Sequence, residues 1–125
     1  ISSDIGENAP IPWTASGRLL LAHLSDQQII DLIDEDDYIL PDGERLPLER
    51  FLAEIRQAGI DGFFSFDSVA DTFTHCFAAP VKDRNGIAIC TLCIVAPRAD
   101  AKNNYNDYRR VLIESANSLA RRINE

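Results

Sequence analysis

The groups with chemistry to offer are Cys76, Cys90, Cys93, His23, His75 and a set of acids. Thiols and imidazoles bind metal or activate nucleophiles only when the backbone brings them together. Residues 74–81 and 86–95 read as two strands joined by Lys82, Asp83, Arg84 and Asn85. Asp83, Asn85 and Gly86 supply the tolerance for positive φ that a tight antiparallel hairpin uses. Successive strand residues point to opposite faces. Cys76 therefore shares a face with Ala78, and Cys93 shares one with Thr91 and Val95. Where those two faces coincide, small and weakly polar groups form the floor of a small-ligand pocket.

The same alternation limits other chemistry. Cys90 and Cys93 match a C-x-x-C spacing, but three residues apart on a strand their sulfurs diverge. Cys90 is accordingly expected as a buried small hydrophobe. Cys76 and Cys93 can sit across neighbouring strands, which leaves core filling, ligand contact and redox pairing open for both. His75 and Cys76 are adjacent and point apart, so they make no nucleophile–base pair. His23, on a helix lined with leucines, reads as a surface histidine. No ligand spacing supports zinc, so neither metal, cofactor nor catalysis is expected.

The chain has 125 residues, 46% of them hydrophobic, enough for one domain around one core. Its longest apolar run, residues 87–97, falls well short of the roughly 20 needed to span a bilayer. The opening ten residues carry acids and no base, unlike a secretory signal, and a start at Ile1 without any Met suggests a fragment of a longer protein. A formal charge of -8 argues against nucleic-acid binding by this segment, because duplex binding needs a cationic footprint. The acidic run 31–37 reads as a solvated helix end, since a calcium loop would alternate its acids around a glycine. Bases gather instead at Arg109, Arg110, Arg121 and Arg122. Three cysteines in such a chain point to a reducing, cytoplasmic compartment.

Stepping along the chain, residues 1–12 read as irregular, with Ala9 and Ile11 held extended by Pro10 and Pro12. Thr14 caps a helix running from Ala15 through Leu24, whose first N–H groups can receive a carboxylate. Gly17 within it reflects either close approach of a ligand or tight packing against a strand. Ser25 opens a second helix through a capping box, carrying Ile29, Ile30, Leu32 and Ile33. Residues 36–46 form a polar loop centred on Pro41, Asp42 and Gly43. Pro47 starts a third helix with Leu48, Phe51, Leu52 and Ile55 on one face, and Gly59 is expected to end it at positive φ. Residues 60–66 read as a strand on their aromatic content, followed by a loop to Thr72. Strand 86–95, almost wholly apolar, is expected at the centre of the sheet with both faces covered. Residues 98–104 read as a polar connection, and the last helix spans 105–123.

These residues together resemble the effector-binding domain of the IclR family of bacterial transcription regulators, over residues 11–123. Thr14-Ala15-Ser16-Gly17-Arg18 through Leu24 is similar to the family's T-A-x-G-K-x-L-L-A-x-L helix, with Arg18 in place of Lys. Ile55-Arg56-Gln57-Ala58-Gly59 is similar to its I-R-x-x-G helix end. Cys76-Phe77-Ala78-Ala79-Pro80-Val81, then Asp83 and Gly86, resembles C-I-A-A-P-V-x-D-x-x-G, and Ala96-Pro97-Arg98 approximates the close of its second strand. Residues 60–68 are longer than the family's pocket-lining segment, and Phe73 stands where the family has Gly.

The resemblance implies an α+β fold: a curved antiparallel sheet flanked by helices, of the GAF or profilin-like sensor kind. It also implies that Ala15, Ser16, Asp67, Cys76, Cys93 and Val95 line a pocket for a small-molecule effector, typically a carboxylate. The anion would rest on the N–H groups of Ala15 and Ser16, and Asp67 would meet a hydroxyl. For Asp67 the competing reading is a loop acid facing water. A winged helix-turn-helix domain that binds DNA, and the first helix and strands of the sensor domain, are not in this chain. Homodimers or homotetramers follow from paired operator half-sites. The alternatives are a stand-alone dimerisation module using the basic last helix, or a small Cys- or metal-dependent enzyme.

Overall fold

The computed structural model describes residues 10–40, 42–69 and 71–125. The expected irregular start lies outside the described residues as far as Ala9, and so does Pro41 of the polar loop. From Pro10 the chain makes a 3-10 turn, Ile11–Trp13, so Ile11 is not extended. Closure of that turn by the Thr14 N–H on the Ile11 carbonyl, at 3.1 Å, outweighs the bias imposed by Pro12.

Helix α1 covers Ala15–Leu20, with Thr14 Oγ1 accepting from the Gly17 N–H at 2.9 Å. It stops short of Leu24 because Ser25 must be extended to cap the next helix. Helix α2, Asp26–Leu32, carries the complete capping box, with Ser25 Oγ accepting at 3.2 Å and Gln28 Oε1 at 2.9 Å. A 3-10 turn, Glu35–Tyr38, follows. Helix α3 covers Leu48–Asp61 and buries Phe51, Leu52, Ile55 and Ala58. It ends at Gly62, φ +62°, rather than at Gly59. Gly59 sits inside the helix, where an added Cβ would come within 3.2 Å of the Ala22 Cβ, so close approach rather than a left-handed cap explains it.

Because α3 continues through Asp61, the strand expected from residue 60 begins later, as β1, Phe64–Asp67. Strands β2, Thr74–Lys82, and β3, Ala88–Pro97, form the expected hairpin. Only Gly86 uses positive φ there, at +81°. Asp83 keeps negative φ and instead accepts the N–H groups of Asn85 and Ile87, at 2.8 and 3.1 Å. The sheet is antiparallel in the order β1-β2-β3. The central, most buried strand is therefore β2, and β3 lies at the edge with Ile89, Cys90, Cys93 and Val95 exposed. A meander places the middle strand in sequence at the middle of the sheet, whatever the apolar content of its neighbour. The connection after Pro97 is a short helix, α4, Arg98–Asn103, before α5, Tyr105–Ile123.

The α+β expectation holds, with helices on both faces of the sheet. On one face Phe77, Ala79, Val81 and Ala96 pack with Ala101 of α4 and with Leu112 and Ala116 of α5. On the other, Ala78 packs with Ala15 and Leu19 of α1 and Ala58 of α3, with Phe64 and Phe66 against them. A third cluster joins α2 and α3 through Ile29, Tyr38, Leu46, Phe51 and Ile55. No helix among the described residues is long and apolar enough to cross a membrane.

Candidate functional site

The register decides which side chains meet. Cys76 pairs with Val95, Ala78 with Cys93 and Pro80 with Thr91. On the other side of β2, Phe66 pairs with Cys76 and Phe64 with Ala78. One face thus carries Phe64 and Phe66, then Cys76 and Ala78, then Thr91, Cys93 and Val95. The register makes the two hairpin faces coincide, the condition that alternation left open, and α1 lies over them.

The N-terminal turn of α1 reaches the edge strand at this face. Ser16 Oγ lies 3.0 Å from Cys93 Sγ, and Thr91 Oγ1 donates to Ser16 Oγ at 2.7 Å. Two hydroxyls and a thiol from residues 75 to 77 positions apart are gathered by packing of α1 on the sheet. The Thr14 cap takes the Gly17 N–H, and among the described residues no side chain accepts from the N–H groups of Ala15 and Ser16. Ala15 is buried against Ala78, Ser16 is half-buried, Cys93 is exposed and Val95 is 41% exposed. Cys76 is half-buried, and burial, then the nearby Asp71 and Cys93, push its thiol pKa up. It is a neutral thiol rather than a ready nucleophile.

Asp67 is not with them. It alternates to the opposite face, pairs across the ladder with His75, and its Oδ1 lies 2.9 Å from His75 Nδ1 and 3.6 Å from Arg98 Nε. There it lines a cavity of about 330 Å³ with His75, Arg98, Ala101, Lys102 and Tyr105. Asp67 is the last residue of β1 rather than part of a loop, but its side chain is exposed, as the reading of an acid facing water expected. A second cavity, about 400 Å³, lies at the far end of α1 beside His23, Gly59 and Lys82, and holds none of the expected site residues.

The register also separates His75 from Cys76, which face opposite helical layers. Among the described residues, no serine, threonine or cysteine hydrogen-bonds His75, whose Nδ1 lies 2.9 Å from Asp67 Oδ1. Among the described residues, no group of three or more His, Cys, Asp or Glu side chains gathers for a metal. All three cysteines are free, and Cys90 is exposed at the sheet edge rather than buried.

Two residues matter here beyond the expected site set. Alternation places Thr91 on the face of Cys93, but its hydroxyl is not counted among the expected pocket residues. Arg18 is buried at 3% exposure, reaching Pro12 O and Thr14 O and lying 4.9 Å from the Phe64 ring centroid. The signal for it was a single base inside a leucine-rich helix.

Comparison with known proteins identifies the family and the fold. The family described as bacterial transcriptional regulator IclR C-terminal matches residues 1–123. The HTH-type transcriptional regulator TtgV of Pseudomonas putida is 29% identical over 129 residues, covering 95% of this chain and 45% of that protein. The Agobacterium tumefaciens repressor BlcR superposes with a TM-score of 0.80 at 24% identity, over 96% of this chain and 49% of BlcR. The inducer-binding domain of the Acinetobacter transcription factor PobR, in a double mutant complexed with 3-hydroxybenzoic acid, superposes with a TM-score of 0.75 at 19% identity, over 94% of this chain and 69% of that domain. The chain spans about half the length of TtgV and BlcR.

Proposed function

Because the chain belongs to the IclR C-terminal family of bacterial transcriptional regulators, we propose that it is the effector-sensing part of a DNA-binding regulator. Its ligand is a small carboxylate metabolite, bound on the sheet face beneath the first turn of α1. The observation that carries this reading is the Ser16–Thr91–Cys93 cluster, with contacts of 2.7 and 3.0 Å. Groups that neutralise one another in the free protein can turn to a ligand oxygen at little cost, since a hydroxyl both donates and accepts. Ala15 and Ser16 offer backbone N–H groups to the carboxylate, Cys76 and Cys93 flank its body, and Val95 shapes the wall. Asp67 has no part in this site, because it belongs to the opposite face.

DNA binding resides in a helix-turn-helix segment outside this chain, a reading supported by the likeness to an HTH-type regulator. Operation as a homodimer or homotetramer in the cytoplasm belongs to the same proposal. Ligand binding at the sensor alters operator affinity only through differential contacts with two states of the whole regulator.

The test is a thermal-shift screen of small carboxylates on the wild-type chain and on Cys93→Trp. A ligand present at 100 times its Kd should add about 2.7 kcal/mol to the wild-type stability. Cys93→Trp, on an exposed edge position, should fold and lose that gain. A variant that keeps the full ligand-induced shift removes the site from this face.

A further inference from the structure

The second face of the sheet holds an unassigned arrangement at its β1 end. We propose that the cavity between β1, β2 and α4 is a separate binding site for a small monocarboxylate with a flat apolar body. The proposal does not depend on the effector site beneath α1, from which the sheet itself divides it. Six residues line it: Asp67, His75, Arg98, Ala101, Lys102 and Tyr105, around about 330 Å³. That volume lies at the lower end of the range that small-molecule sites occupy.

Charge is the first argument. The chain carries a formal charge of -8, yet this cavity has two cations, Arg98 and Lys102, against one carboxylate. They stand four residues apart on α4 and so share one helix face. Arg98 is held in place by the carbonyls of Thr74, Ser68 and Asp71, at 3.0, 2.9 and 3.0 Å, and its Nε sits 3.6 Å from Asp67 Oδ1. Asp67 and Arg98 thus offset each other. Lys102 is exposed and, among the described residues, has no acid partner. One uncompensated cation suits a single negative charge.

Shape is the second. Tyr105 and His75 contribute rings whose centroids lie 6.5 Å apart at 66°. His75 is oriented by Asp67 on Nδ1 and by the Phe77 ring at 4.8 Å, and Tyr105 by Ser65 Oγ at 3.2 Å. The two rings meet edge to face and form one apolar wall of the cavity, fixed in direction, with Ala101 packed into the core beside it. Tyr105 is also the first residue of α5, whose N-cap Asn104 makes no capping hydrogen bond and turns its amide to Asp100 instead. The positive end of a helix of 19 residues therefore adds to the field of Lys102 at the cavity wall.

Benzoate titrated into the ¹⁵N-labelled chain tests this, with inorganic phosphate as the comparison anion. The expected result is saturable shifts of the amides of His75 and of residues 98–105, weaker for phosphate. Lys102→Glu should weaken benzoate binding at least tenfold, Lys102→Gln should weaken it less, and Cys93→Trp should leave these shifts unchanged. Lys102 is exposed, so both variants keep the fold, which their amide spectra verify. Shifts confined to Ser16, Thr91 and Cys93, or a titration that Lys102→Glu leaves intact, overturn the second site while leaving the effector proposal standing. Loss of both sets of shifts in Cys93→Trp with a native spectrum also overturns it, because the two sites would then not be separate.

Discussion

Arg18 Nη1 donates to the Thr14 carbonyl at 2.7 Å and to the Pro12 carbonyl at 2.9 Å, so a side chain of α1 ties down the segment that caps α1. The same guanidinium lies 5.0 Å from the Phe51 ring centroid and 4.9 Å from that of Phe64. Its Nε approaches Glu54 Oε2 at 3.5 Å, an ion pair without hydrogen-bond alignment. Burial lowers the Arg18 pKa and Glu54 opposes that shift. One buried cation thus connects the approach to α1, α3 and β1, and holds the first turn of α1 where Ser16 meets Cys93.

Arg18→Met should cost about 3 kcal/mol, because it strips two carbonyls of their donor and a partly buried Glu54 of an ion-pair partner. Arg18→Lys keeps the charge but not the planar fork and should cost about 1 kcal/mol. Urea midpoints of the two variants check this. Equal losses would mean that charge contributes nothing and the carbonyl contacts everything.

Gly17→Ala tests the close approach at the start of α1. A Cβ there would lie 2.6 Å from Ile11 Cγ2, 2.7 Å from the Ile11 carbonyl oxygen and 2.8 Å from Thr14 Oγ1. Alanine favours a helix interior by about 1 kcal/mol over glycine. Overpacking against backbone costs about 1–3 kcal/mol, so the variant should melt lower than wild type. A higher melting temperature would show that residues 11–14 yield to the methyl group.

Thiol reactivity should follow exposure and pKa together. Cys90 and Cys93 are exposed, whereas Cys76 is half-buried with its pKa raised by burial, by Asp71 and by Cys93. Iodoacetamide near neutral pH should alkylate Cys90 and Cys93 first, with Cys76 slower by about tenfold or more, since the thiolate is the reacting form. Peptide mass spectrometry over time resolves the three sites. Equal rates would contradict the placement of Cys76 beneath the sheet's neighbours.

Acid stability should depend on Asp71. Its carboxylate accepts the N–H groups of Phe73 and Thr74, at 3.0 and 2.8 Å, and the Thr74 hydroxyl, and these bonds with Thr74 in the lead lower its pKa. A depressed folded pKa gives stability that is fully present above the unfolded value of about 3.9 and is lost as pH falls through the folded one. Asp71→Asn should therefore be less stable than wild type at pH 7, and the gap should narrow as pH falls from the unfolded value of about 3.9 through the lower folded one. Parallel curves over that range in denaturant titrations would assign the acid sensitivity to other groups.

Local rules were enough for much of this molecule. The capping box of α2, the Thr14 cap, the hairpin and the bounds of α5 are all written in residues adjacent in sequence, because their hydrogen bonds and apolar periodicity close within a few positions. So is the sharing of a face by Cys76 and Ala78, which alternation alone requires. The family pattern from Thr14 to Gly86 is likewise a property of the sequence, and it carried the α+β architecture with it.

What local rules misassigned depended on partners far along the chain. Gly59 has the residue type of a C-cap, yet it lies inside α3 where an added Cβ would crowd Ala22, and the helix continues to Gly62. Strand β3 has the apolar content of a central strand, yet the meander places β2 at the centre. Asp67 was assigned to the thiol face by resemblance, but alternation along β1 sends it to His75 and Arg98. Whether one strand residue faces one ligand or another turns on a register shift of a single position. Sequence by itself determined which residues cap, turn and alternate; only the tertiary structure decided that α1 lays Ser16 on Cys93 and Thr91, because that contact joins residues more than 70 positions apart through the packing of a helix on a sheet.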